Sequence, residues 1–243
     1  MIGFQTKHGY MNVLSNDIVF ASSLRNGKIY EEDIIFQHII PKINDIQGEK
    51  IILDIGSHIG SHTLLYAKYI DNCIIHAFEP QKEIFNLLQQ NISINNINDK
   101  VKIYNNAVGH KMCNCNMSSH LYDGYNCNIE YNTNKILNYG GLQLGLHGEQ
   151  VAMIMIDSLQ LSNCHYIKMD VEGAESLTLM GAIDTIKKFK PIIFFECTDK
   201  HVNDEMKQSL DIDFIPLTSI EILKNEGYTI LDIDECNKLA FFQ

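Results

Sequence analysis

The sequence predicts an α/β protein built on a doubly wound, mostly parallel sheet of seven strands that ends in an antiparallel hairpin. Three observations carry this expectation. Apolar runs of strand length (IILDI, CIIHAF, VKIYN, HYIKMD, PIIFFE) alternate with segments of helical spacing, and strands that read as near-continuous apolar runs belong to parallel sheets covered on both faces. The last two strand-like segments, GYTILDID and KLAFFQ, are separated only by ECN, enough for a hairpin and far too little for a parallel crossover. With 243 residues, 45% of them hydrophobic, the chain supports one core, and a single domain over residues 1–243 is expected.

Residues 1–48 read as a lead-in that covers the core. Within it, EEDIIFQHIIPKI places Ile34, Ile35, His38 and Ile39 on one side of a short helix that Pro41 should end. IILDI is the first regular strand, and Ile59, Thr63, Leu64 and Ala67 mark the helix that follows. After CIIHAF, a helix over about residues 81–95 should bury Ile84, Phe85, Leu87, Leu88 and Ile92 before VKIYN. Residues 109–150 break the alternation with a loop-rich insertion of Asn, Gly, Cys, Ser and Tyr, and long loops inside compact domains are usually functional or disordered. VAMIMID restores a strand; HYIKMD, one helix over about residues 174–189 and PIIFFE complete the pattern.

Composition removes several function classes. A net charge of −11 without a local cluster of Lys and Arg repels phosphate backbones, so no nucleic-acid partner is expected. Neither a spanning apolar run nor a signal-peptide layout is present, so the expected protein is soluble and cytoplasmic, with no membrane contact. Seven scattered cysteines read as reduced thiols. Cys113, Cys115 and Cys127 lack a second ligand pair for zinc, and His58 and His62 stand four apart without the Glu of HExxH; no metal site is expected.

The candidate site gathers at strand ends, where ligands of open α/β sheets bind. ILDIGSHIG sets Asp54, Gly56 and Gly60 at the turn into the first regular helix, where glycines admit close backbone approach and helix N–H groups favour a carboxylate. AFEP places Glu79 at the next strand end, about twenty residues on, where it either takes a ribose diol or caps a turn before Pro80. In NNAVG, Asn106, followed by Ala107, either pairs with an adenine edge or makes a turn. IKMDVEGAE concentrates Lys168, Asp170, Glu172 and Glu175 at the end of a central strand, a charge density that is costly unless paired or used. Glu175 also suits a first helical turn. PIIFFE brings Glu196 to the neighbouring strand end.

In these stretches (ILDIGSHIGSHT, AFEPQKEIFNLLQQNI, NNAVG, IDSL, IKMDVEGAE, PIIFFE and LKNEGY, between about Tyr30 and Tyr228) the chain resembles the FkbM family of methyltransferases. The resemblance implies a Rossmann-like class I methyltransferase fold and S-adenosylmethionine as cofactor. It implies that Asp54, Gly56 and Gly60, with Ser57 and His58 between them, hold the methionine end. Glu79 with Pro80 would take the ribose, and Asn106 with Ala107 the adenine side; Asp170 and Glu172 would lie near the methyl donor. Ser57 and His58 depart from the Ala and Asn usual in the family. Its implied acceptors are sugars, polyketides or other small hydroxylated molecules.

Methyl transfer from a sulfonium is an in-line displacement governed by positioning, and an alcohol acceptor must also lose a proton. Asp170 or Glu172 is the expected base, with Glu196 or His201 as alternatives. Acceptor recognition, of a small molecule or a glycan, is expected from residues 109–150 together with Tyr30 and Glu31. The competing expectation is an inactive cofactor-binding module or partner subunit, against which the intact charges of IKMDVEGAE argue. A nicotinamide dehydrogenase is disfavoured by the missing GxGxxG.

Overall fold

The computed structural model describes residues 1–118, 138–197, 202–214 and 216–242. The lead-in forms a small hairpin of β1 (Ile2–Gln5) and β2 (Tyr10–Val13), then α1 (Ile18–Arg25), whose amino end is capped by the Asp17 carboxylate accepting from the Phe20 N–H. The helix expected to stop at Pro41 does not stop there. It runs as α2 (Glu32–Ile34), a π-helical segment (Ile35–Ile39) and α3 (Ile40–Asn44), with Pro41 in the first turn of the last piece. The Ile40 N–H reaches back to the Ile35 carbonyl, so one residue is bulged out and the proline, which has no N–H to give, begins a new α-turn.

The regular alternation follows: β3 (Lys50–Ile55), α4 (Ser61–Tyr69), β4 (Cys73–Phe78), α5 (Lys82–Ile94) and β5 (Val101–Tyr104). Next come β6 (Ala107–Val108), β7 (Cys113–Ser118), β8 (Leu144–Gly145) and β9 (Gly148–Ile154), which pair in the order β6-β9-β7-β8 as a separate sheet. The stretch expected to be a loop insertion therefore contains strands. Cys113 and Cys115 sit in a strand rather than a loop, where burial pushes the Cys115 thiol up to about 12; Cys127 lies outside the described residues.

β10 (Tyr166–Met169) leads into α6 (Glu175–Met180) and α7 (Ile183–Phe189), two helices where the sequence suggests one. The break is at Gly181, where a Cβ would lie 1.9 Å from the Gly109 carbonyl oxygen. The second helix also has its own cap: Asp157 accepts from the N–H groups of Asp184 and Thr185 at 3.0 and 2.9 Å. β11 (Ile192–Glu196), α8 (Asp204–Ser209), α9 (Ser219–Asn225), β12 (Tyr228–Asp232) and β13 (Asn237–Phe242) complete the chain.

Among the described residues the central sheet has seven strands in the order β12-β13-β11-β10-β3-β4-β5, parallel from β11 to β5, with β13 antiparallel to both β11 and β12. One core of Ile52, Leu64, Ile75, Leu88 and lead-in residues such as Ile35 and Ile39 covers one face; Leu53, Phe78, Ile167, Ile186 and Ile193 pack the other. This is the doubly wound sheet that the alternation predicts, and it aligns the carboxyl ends of β3, β4, β10 and β11 along one edge. No helix among the described residues is long and apolar enough to cross a membrane.

Candidate active site

Two adjoining clefts open along that edge. The first holds about 640 Å³ of space between its walls and the open solvent. Ile55, Gly56, His58, Glu79, Pro80, Gln81, Asn106, Ala107, Asp170 and Glu172 line it, along with Phe20 from α1 and the apolar side chains of Met117, Leu142 and Leu144. The second, about 530 Å³, is walled by polar groups: Tyr30, Glu31, Asn138, Lys168, Asp170, Glu172, Glu196 and Asn237. Phe20, Gly140, Asp170 and Glu172 belong to both.

The glycine turn is built for protein packing as much as for ligand approach. Gly56 has φ +74°, and a Cβ there would fall 1.8 Å from the Asp170 carbonyl oxygen, so only glycine lets the ends of β3 and β10 meet. At Gly60 (φ +85°) a Cβ would come 2.6 Å from Leu88 of α5. The N–H groups of Gly56 and Ser57 both donate to the Phe78 carbonyl, at 3.0 and 2.9 Å, and the Ser57 hydroxyl donates to the same oxygen at 3.1 Å. Gly60 and Ser57 thus brace the turn from behind, and neither lines the cleft.

Asp54 is likewise set behind the wall. It is fully buried, accepts from the Thr63 hydroxyl at 2.5 Å, and has the Lys168 ammonium 3.8 Å from its other oxygen. Their meeting follows from register, since Asp54 and Lys168 are direct neighbours across β3 and β10. Lys168 donates to the Gly56 carbonyl at 2.7 Å and stands 3.5 Å from Asp170. Burial works against its charge, but Asp170, Asp54 and Glu31 outweigh that and hold its pKa above the ordinary lysine value.

Glu79 is almost wholly buried at the end of β4. Its two oxygens accept from the backbone N–H groups of His58 at 3.0 Å and Gln81 at 2.8 Å. Burial raises its pKa to about 7, outweighing those N–H groups and the nearby Lys168 charge, which lower it. The Asn105 amide holds this turn by donating to the Glu79 and Pro80 carbonyls, at 2.9 Å each. Asn106 and Ala107 reach the same cleft from β6, Asn106 donating to the Ala152 carbonyl at 3.2 Å.

At the junction of the clefts, one carboxylate oxygen from each of Asp170, Glu172 and Glu196 lies within 4.8 Å of the others. Glu172 is held in the left-handed region at φ 53°, an uncommon conformation for a non-glycine residue. Glu175 holds that turn rather than facing the cleft: it is buried, accepts from the N–H groups of Val171 and Gly173 at 3.2 Å each, and burial raises it to about 7. His201, an expected alternative base, lies outside the described residues.

The lead-in supplies walls: Tyr30 and Glu31, expected at the acceptor side, line the second cleft, and Phe20, which no local motif announces, lines both. Glu31, also left-handed at φ 57°, accepts from the Asn237 amide of β13 at 2.7 Å, and His62 of α4, 3.0 Å from the neighbouring Tyr30 carbonyl, stands 3.7 Å away. Burial, with Glu31 beside it, pushes Tyr30 up to about 12, so it stays a neutral phenol. Phe20 packs its ring 4.1 Å from that of His58.

Comparison with known proteins adds the family. The family described as "Methyltransferase FkbM domain" matches residues 54–230. A crystal structure of methyltransferase FkbM from Methylobacillus flagellatus KT superposes at a TM-score of 0.50 and 16% identity, covering 81% of this chain and 45% of that one. The chain thus spans under half the length of that relative, and at this identity the likeness speaks for the fold. An O-methyltransferase from Bacillus cereus, solved in complex with SAH, superposes at 0.49 with 15% identity over 84% of this chain and 79% of that one. No curated protein matches the chain.

Proposed function

The chain belongs to the FkbM family of methyltransferases, with S-adenosylmethionine as cofactor, and from that premise we propose that it methylates a hydroxyl oxygen of a small polyhydroxylated acceptor, a sugar or a glycan residue. The observation that carries this reading is the pairing of the two clefts. One has apolar walls and a buried carboxylate suited to a nucleoside; the other is dense in hydrogen-bonding groups suited to hydroxyls; Asp170 and Glu172 stand where they meet.

The residues fit the cofactor on the structure's own terms. Glu79 uses one lone pair of each oxygen on backbone N–H groups, which leaves each oxygen free to accept from one hydroxyl of a ribose diol. Asn106 and Ala107 offer polar groups at the far end of the same cleft for an adenine edge, and Met117, Leu142 and Leu144 offer apolar cover. Gly56 and His58, with Asp54, Ser57 and Gly60 behind them, would face the amino-acid end. When bound, the cofactor supplies an electrophilic methyl group.

The chain's part is to orient an acceptor and receive its proton. In the second cleft Tyr30 offers a hydroxyl donor and Glu31, Glu196 and Asn237 offer further polar groups, an arrangement that can fix several hydroxyls at once. The carboxylate of Asp170 or Glu172 takes the hydroxyl proton as the oxygen attacks, and Lys168, 3.5 Å from Asp170, balances the charge gathered there. A net charge of −11 disfavours nucleic acid as acceptor.

The test is incubation with S-adenosylmethionine and a panel of sugars, glycosides, amines and carboxylic acids, read by mass spectrometry. O-methylation of a sugar, lost in single turnover by Asp170→Asn and Glu172→Gln, supports the reading. Transfer to amines alone, or undiminished transfer by both variants, would overturn it.

A further inference from the structure

His62 is a buried imidazole that the proposed chemistry does not use. It stands in the first turn of α4, 5% exposed, and lines neither cleft. Burial, with the Lys168 charge nearby, lowers its pKa below the ordinary histidine value, outweighing Glu31 and Asp54; at pH 7 the ring is neutral and carries one hydrogen. Its Nε2 lies 3.0 Å from the Tyr30 carbonyl oxygen. A carbonyl only accepts, so the hydrogen is on Nε2 and is donated there.

What this hydrogen bond holds is a strained corner. Glu31 follows at φ 57°, a left-handed conformation that a non-glycine residue keeps only where its surroundings over-determine it. Separate elements of the fold do so here. Asn237 of β13 donates to the Glu31 carboxylate at 2.7 Å. On the other side of the corner, Glu32 accepts from the Ile29 N–H at 2.9 Å and is itself held by Lys7 at 2.7 Å and His8 at 3.0 Å, both from the turn between β1 and β2. Strain of this kind gathers at ligand sites, and the side chains that the corner presents, Tyr30 and Glu31, both line the polar cleft. The neutral phenol donates and the carboxylate accepts, a pairing suited to two hydroxyls of one acceptor.

We propose that His62 is a positioning residue for the acceptor: its hydrogen bond to the Tyr30 carbonyl sets the corner so that Tyr30 and Glu31 together meet the acceptor's hydroxyls, and it takes no part in holding the donor. This rests on the acceptor cleft of the proposed function. It gives the first regular helix a role on the acceptor side, through the lead-in that folds over it.

The test pairs steady-state methylation of methyl glucoside, methyl galactoside and methyl mannoside, using radiolabelled S-adenosylmethionine, with calorimetric titration of S-adenosylhomocysteine. Wild type is compared with His62→Leu, which removes the donor, and with His62→Gln, whose amide can replace the Nε2 hydrogen. For the glycoside that wild type methylates best, His62→Leu should lower kcat/KM about three- to tenfold, as for one neutral hydrogen bond, while S-adenosylhomocysteine affinity stays within twofold. His62→Gln should restore most of the loss. If the Leu variant fails to fold, His62→Asn, whose amide stops one carbon short, should show the same split. Added to a Tyr30→Phe, Glu31→Gln double variant, either change should lower kcat/KM little further, because the groups it positions are gone. An unchanged kcat/KM, or a parallel loss of S-adenosylhomocysteine affinity, would overturn the proposal while leaving the acceptor cleft standing. A wild type that binds S-adenosylhomocysteine but methylates none of the glycosides would overturn the acceptor reading, and this inference with it.

Discussion

Replacing Glu79 by glutamine tests the donor cleft at its most buried point. The isosteric amide can accept from only one of the two N–H groups that the carboxylate now holds, His58 and Gln81. Leaving the other unpaired costs about 1–3 kcal/mol. Against this, burial has raised the acid from 4.5 to about 7, so above that pH the folded state carries a charge penalty of about 3 kcal/mol, which the neutral amide removes. The two effects nearly offset, and the urea midpoint at about pH 8 should shift by no more than about 2 kcal/mol of stability. Donor affinity has no such offset. Hydrogen bonds from ribose hydroxyls to an ionised acceptor are worth roughly 1.5–3 kcal/mol, so S-adenosylhomocysteine should bind Glu79→Gln roughly ten- to a hundredfold more weakly by calorimetry. Affinity within threefold of wild type, in a variant shown by its melt to be folded, would refute the assignment.

Other expectations concern the scaffold. Glu79 and Glu175 are both raised from 4.5 to about 7 by burial, so between those values the folded protein keeps protons that the unfolded chain has released. Their contribution to unliganded stability is greatest below about pH 4.5 and declines as pH rises to about 7, then levels; urea titrations of wild type against a Glu79→Gln, Glu175→Gln double variant should show the slope only in the former. Lys168→Met removes the cation that faces the fully buried Asp54 and should cost roughly 3–5 kcal/mol, with Asp54→Asn restoring part of it; a loss under about 1 kcal/mol would show that Thr63 alone suffices. Gly56→Ala combines a left-handed φ with a Cβ 1.8 Å from the Asp170 carbonyl oxygen, so a loss of at least about 2 kcal/mol is expected by thermal melt, together with weaker donor binding.

The sheet was legible because its strands are unbroken apolar runs and its connections are regular. What local pattern could not convey were events decided by distant partners. Pro41 sits inside a helical run because a π-turn absorbs its missing N–H. The helix after β10 breaks because Gly181 is pressed against Gly109 and Asp157 caps a new start. Of the residues expected at the site, Gly56, His58, Glu79, Pro80, Asn106, Ala107, Asp170, Glu172 and Glu196 line one or both clefts, all at strand ends where period and turn chemistry place them. Asp54, Ser57 and Gly60 stand one layer back, which sequence spacing does not distinguish from the wall. Phe20, Asn237 and the fixing of Glu31 were invisible, because they arise from the lead-in and the last hairpin folding onto the sheet edge.

The order of the central sheet bears on synthesis. β13, residues 237–242, lies between β11 and β12, so a chain emerging from the ribosome amino end first presents the backbone edge of β11, with Ile193 and Phe195 on its face, before its partner has been made. Until translation passes residue 242 that edge is open to other strands, which makes the nascent polypeptide, rather than the finished fold, the form most exposed to mispairing.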